Sequence, residues 1–128
     1  AGHPLAACEA VSMEQILKHE VIGPATEATL MTLLTRTAAA FNEFLTVRIF
    51  ADGYDTVCRI VGQGLASGVV SETAARLYAS QMELVVIPIS DAWALREHHV
   101  CVRAVKDLAP TQRVVLDYLL QASDLTSP

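Results

Sequence analysis

Three cysteines, two adjacent histidines and a few glycines and serines are the groups in this 128-residue sequence that come nearest to a chemical site. Cys8, Cys58 and Cys101 are odd in number, and their separations match neither a metal-ligand pair nor a thioredoxin-like dithiol. They read as reduced thiols of a cytosolic protein. Cys58, between Val57 and Arg59, is expected to pack inside its helix as a small apolar residue, since no resolving partner is close in sequence. His98 and His99 are expected in the approach to a strand, where adjacent side chains point to opposite faces and do not share one ion easily. His3 and His19 have no Cys, Asp or Glu at a ligand-like interval, so no metal site is expected. Gly62-Gln63-Gly64 follows a helix rather than a strand and reads as a helix ending, not a nucleotide loop. Ser67-Gly68 lacks the local signature of a nucleophile. No catalytic residue, cofactor or enzymatic activity is expected.

What remains is a set of polar residues at the starts of helices that directly follow strands. Thr26, Glu27 and Thr29 open one such helix, Asp52 and Tyr54 a second, and Ser71 a third. In an α/β sheet these starts gather beyond the carboxyl ends of the strands, where free N–H groups and the positive helix end favour anionic or polar ligands. Taken singly, Thr26, Asp52 and Ser71 also suit plain helix capping.

The elements that must position these residues are legible from periodicity. Ser12-Met13-Glu14-Gln15 is a capping-box pattern that opens a short helix to about His19. Val21-Ile22, closed by Gly23-Pro24, reads as a strand. Leu30, Leu33, Leu34, Ala38 and Phe41 recur at helical spacing within Thr26–Phe41. Leu45–Phe50 is β-prone, and Ala51-Asp52-Gly53 is the turn after it. A helix from about Tyr54 to Gln63 carries Val57, Ile60 and Val61 on one face. Val69-Val70 reads as a two-residue buried strand, and Ser71 caps a helix to about Ala79 with Glu72 in its first turn. Leu84–Ile89 is a continuous apolar run, as in a strand covered on both faces. Trp93, which follows it, is expected to pack a subdomain edge. Val100–Val102 is another expected strand, and Pro110 starts a last helix to about Ala122. Strand and helix alternate with short connections, which argues for an α/β fold with a mainly parallel or mixed sheet flanked by helices.

Composition sets the bounds. The chain is long enough for one ordinary domain. With 52% hydrophobic and 18% charged residues it should fold. A net charge of -5 offers no basic footprint for nucleic acid. No apolar run reaches the roughly 18 residues that span a bilayer, and no signal-peptide pattern is present. The start at Ala1-Gly2-His3-Pro4, without Met, suggests a chain cut from something longer.

Read in order, these segments resemble the effector-binding domain of LysR-type transcriptional regulators, mainly its second subdomain. Gly2-His3-Pro4-Leu5-Ala6 is similar to the stretch just after that domain's first hinge. The run from Tyr54 through Gly62-Gln63-Gly64-Leu65-Ala66-Ser67-Gly68 to Val69-Val70 resembles the family's helix and glycine-rich strand. Val85-Val86-Ile87-Pro88-Ile89, Asp91-Ala92-Trp93 and Cys101-Val102-Arg103 complete the resemblance, which covers nearly the whole chain. Val70-Ser71 departs from it, the family often placing Pro there.

The resemblance implies a lobe like that of a type 2 periplasmic binding protein, with a small-molecule effector held in a cleft between two lobes. It implies ligand contacts from Pro24 to Thr29 and from Asp52 to Tyr54, the segments already singled out, and dimerisation through the helix Thr26–Phe41 with Met31, Thr35 and Ala39 outward. Residues 1–104 would form the second subdomain, with Val100–Arg103 the return crossover. Residues 105–128 would belong with a first subdomain missing from this chain. A cytoplasmic homodimer or higher oligomer would contact DNA only through an absent N-terminal winged helix-turn-helix, with no membrane involved. A free-standing solute-binding lobe is the alternative.

Overall fold

The computed structural model describes residues 2–24, 28–97 and 99–124. The chain forms two compact units, Ala1–Leu95 and Arg96–Pro128. The first unit is built on three parallel strands, β1 (Val21–Pro24), β2 (Val47–Ala51) and β3 (Ser67–Gly68), in the order β2-β1-β3. Its helices are α1 (Met13–Leu17), α2 (Ala28–Ala40), α3 (Gly53–Gly62) and α4 (Glu72–Met82). The second unit carries α5 (Pro110–Asp124), with Pro110 at its first position as expected, where the missing N–H costs no helical hydrogen bond. No helix among the described residues is long and apolar enough to cross a membrane.

The central strand explains the layering. Successive side chains of β1 point to opposite faces. Val21 joins a cluster with Leu5, Val11 and Ile16, and Ile22 joins one with Ala51, Val57 and Ala66. Both are fully buried, as in a parallel sheet covered on each side. A third cluster unites Met13 of α1 with Leu30, Leu34 and Ala38 of α2. These three α2 residues recur every four positions and form one buried row; full burial of a side chain such as Leu34 is worth about 1.5–3 kcal/mol.

Local signals set most helix ends. At α1 the Ser12 hydroxyl accepts the Gln15 N–H at 3.4 Å, and the Ser12 N–H donates to Gln15 Oε1 at 2.9 Å. Both halves of the capping box are formed. The helix stops at Leu17, two residues before the expected end. Ser71 accepts the Ala74 N–H and caps α4, which runs on to Met82 and ends with Glu83 in the left-handed region at φ 51°. Asp52 precedes α3 without a side-chain cap hydrogen bond, so its expected capping role is not realised. Gly64, at φ 76°, ends the α3 segment, so the glycine pair is a helix ending as its sequence suggested. The proposed cap of α2, Thr26, lies outside the described residues.

Three expected strands differ. Strand β3 is Ser67–Gly68 rather than Val69-Val70. Gly68 lies so close to α3 that a Cβ would sit 2.9 Å from Val57 Cγ1 and 3.0 Å from Val61 Cγ2. Only the glycine admits this approach. The run Leu84–Ile89 forms no regular strand; it makes a single parallel bridge, Val11 to Ile89. Val85 and Val86 are 59% and 41% exposed, because an apolar run becomes a strand only where backbone partners and cover exist on its flanks. Val100–Val102 is likewise irregular and exposed, so the crossover strand placed there from sequence is not formed. Trp93 is half-buried and packs on the Met13 and Leu34 cluster.

Candidate functional site

Because all three strands are parallel, their carboxyl ends lie at one edge of the sheet. The register pairs Pro24 of β1 with Ala51 of β2, and Ile22 with Gly68 of β3. The described segments that leave this edge are Asp52-Gly53-Tyr54 and Val69-Val70-Ser71. Helices α2, α3 and α4 follow these strands in the chain, so their positive ends lie toward the same margin, where the Ser71 hydroxyl takes up one first-turn N–H of α4.

The individual side chains divide by position. Asp52 is exposed, and the chain turns past it at Gly53, whose φ of 75° is suited to glycine. A Cβ at that position would also meet Asp55 Oδ1 at 2.7 Å. Tyr54 is half-buried and packs against the cluster of Met13, Leu30 and Leu34, which joins the start of α3 to α1 and α2. Thr29 is exposed in the first turn of α2, while Ser71 is exposed and engaged in capping α4. Pro24 is fully buried, so it supports the edge by packing rather than by presenting a side chain to solvent. Thr26 and Glu27 lie outside the described residues.

The α2 face is more mixed than expected. Thr35 and Ala39 are exposed, but Met31 is half-buried: it packs on the α1/α2 cluster, and its sulfur lies 3.1 Å from where a Cβ on Gly23 would stand. Met31 therefore faces the sheet, a correction to its outward placement.

Cys58 is buried in α3 as expected. Burial pushes its thiol up from the ordinary range, with the Asp55 carboxylate adding to the effect. The reactive thiolate is thus disfavoured.

Sequence reasoning missed a long-range cap. Asp91 Oδ2 accepts the Met13 N–H at 2.8 Å, and the Ser90 N–H donates to the Val11 carbonyl at 2.9 Å. These bonds tie segments 78 to 79 residues apart. No local pattern signals such a pairing; the only hint is an acidic residue next to the apolar run.

Two hollows occur elsewhere. One, of about 550 Å³, lies at the far ends of α3 and α4, lined by Arg59, Gly62, Gln63, Gln81 and Glu83. The other, about 450 Å³, lies within the second unit between Val100, Val102 and one side of α5. The first does not sit at the starts of α3 and α4. The carboxyl edge remains the better candidate, because there three helix ends converge on a margin with polar side chains, whereas the first hollow is walled largely by exposed side chains.

No curated protein sequence matches the chain. The family model described as the LysR substrate binding domain matches residues 1–124, nearly the whole length. The α/β layering and the parallel sheet agree with that match, and the chain belongs to the LysR substrate binding domain family, the effector-binding, type 2 periplasmic-binding-protein-like domain of LysR-type regulators.

Proposed function

We propose that this chain senses a small, polar or anionic effector for a LysR-type regulator, and that it does so at the carboxyl edge of its sheet. Domains of this family serve effector recognition in regulators rather than catalysis. The observation that carries the site is the convergence of three helix starts at one sheet edge. Thr26, Glu27, Thr29, Asp52, Tyr54 and Ser71 contact the effector, and Pro24 holds the edge in shape. Residues 1–104 act as the second subdomain, and residues 105–128 pack with the first. Effector binding stabilises the closed arrangement of the two lobes and shifts the regulator's oligomer on DNA, because a ligand moves an equilibrium only through its preference for one state. The regulator is a cytoplasmic homodimer or higher oligomer. Thr35 and Ala39 on α2 supply part of the contact, and DNA is read by a separate winged helix-turn-helix.

The test is a thermal-shift screen of the regulator against small organic acids and polar metabolites, repeated with Asp52→Asn and Tyr54→Phe. A hit that raises the melting temperature of the parent and not of these variants supports the site. Variants that melt like the parent and respond to the hit unchanged would place the effector elsewhere.

A further inference from the structure

We propose that His3 and His19 form a proton-sensitive latch on the N-terminal segment of the first unit: neutral His3 caps the short 3-10 helix Pro4–Ala7, and its protonation removes that cap and loosens the helix. The two histidines are 16 residues apart in sequence, yet their rings meet edge to face, with centroids 4.9 Å apart and planes at 63°. His3 is the N-cap of the 3-10 helix, and its Nδ1 accepts the Leu5 N–H at 3.3 Å. That nitrogen must therefore be unprotonated. In the imidazolium both ring nitrogens are donors, so protonation sets one N–H against another and removes the cap. The cation so formed also lies against His19.

The helix is also held by the Leu5 side chain, buried with Val11, Ile16 and Val21, and by Cys8 at its end, which packs on the same cluster. Four residues past the helix, backbone bonds tie Val11 to Pro88 and Ser90. Loss of the cap therefore loosens the segment between His3 and that tie, with Leu5 and Cys8 left as its hydrophobic anchors.

Other charged groups on these elements are Glu9, the Lys18 and Glu14 pair at 3.2 Å, and the Glu20 and Arg48 pair at 3.1 Å. Lys18 and Glu20 flank His19 but are each engaged with another partner. Burial first, and His19 second, lower the affinity of His3 for a proton below its usual 6.5. A group depressed on folding contributes stability that is complete above about pH 6.5 and is lost as pH falls through the lowered folded value.

The experiment is hydrogen exchange of the ¹⁵N-labelled chain, read as the protection factor of the Leu5 amide from about pH 7.5 down to about pH 5.5. Histidine ring shifts are followed alongside. His3→Asn keeps a side-chain acceptor at the cap but does not titrate; His19→Gln removes the neighbouring ring. The parent should lose Leu5 protection several-fold on acidification, His3→Asn should stay flat, and His19→Gln should move the midpoint upward. A parent profile that matches His3→Asn, or a Leu5 amide unprotected at neutral pH, overturns the latch. An unmoved midpoint in His19→Gln overturns the pairing.

Discussion

Gly68→Ala offers the sharpest test of how the sheet is held. A methyl there would stand 2.9 Å from Val57 Cγ1, 3.0 Å from Val61 Cγ2 and 3.7 Å from the Ile22 carbonyl. The first two distances are well inside carbon–carbon contact at about 3.5–4.0 Å, and Val57 is 1% exposed and stiff at χ1. Overpacking of this kind costs about 1–3 kcal/mol. Replacing glycine by alanine also restricts the unfolded chain, which returns about 0.4–1 kcal/mol where the native backbone suits the new residue. The clash is larger, so a net loss of about 1–2 kcal/mol is expected. In a unit of this size each kcal/mol lowers Tm by about 4–8 °C. Urea unfolding of the parent, Gly68→Ala, Val57→Ala and the double variant gives the assay. Val57→Ala removes the methyl nearest the added one, so the two substitutions should be less than additive, with a coupling of about 0.5 kcal/mol or more. A neutral Gly68→Ala, or strict additivity, refutes the account in which close packing of β3 on α3 makes residue 68 a glycine.

Other outcomes follow from the same geometry. Leu34→Ala empties the centre of the α1/α2 cluster and should cost about 2–5 kcal/mol in urea unfolding, whereas Thr35→Ala beside it on the exposed face should stay within about 0.5 kcal/mol. Asp91→Ala removes the acceptor of the Met13 N–H; a loss of about 1.5–3 kcal/mol is expected, together with faster exchange of the Met13 amide. Unchanged Met13 exchange would show that this cap is dispensable. In alkylation followed by mass spectrometry at neutral pH, exposed Cys101 should react first and Cys58 last, with the difference abolished in denaturant. Fast labelling of Cys58 in the folded chain would contradict its burial.

The candidate edge was partly legible because helix starts after strands leave local marks. Asp-Gly pairs and serines favour turns and caps, and the place of Asp52-Gly53 and Ser71 after apolar strand segments predicts an edge location. The orientation of Met31 was not legible. Helical spacing alone does not say how wide the buried stripe of α2 is; the bare backbone of Gly23 lets the Met31 side chain reach the sheet. Pro24 likewise looked like a margin residue but is buried, since Ala51 pairs beside it.

What the sequence by itself determined is local: the Ser12 capping box, the apolar row Leu30, Leu34 and Ala38, the Pro110 start of α5, and the strand-helix alternation behind the α/β class. These depend on interactions within a turn or two of chain, which residue type and period encode directly. Tertiary structure alone decided which apolar runs became strands. Val21–Pro24 gained backbone partners on both sides, while Val85 and Val86, equally apolar, gained none and stand exposed. It also moved β3 onto Ser67–Gly68, and it joined His3 to His19 and Asp91 to Met13. Such pairings depend on where distant segments meet, and a strand exists only where its N–H and C=O groups find partners that no local pattern names.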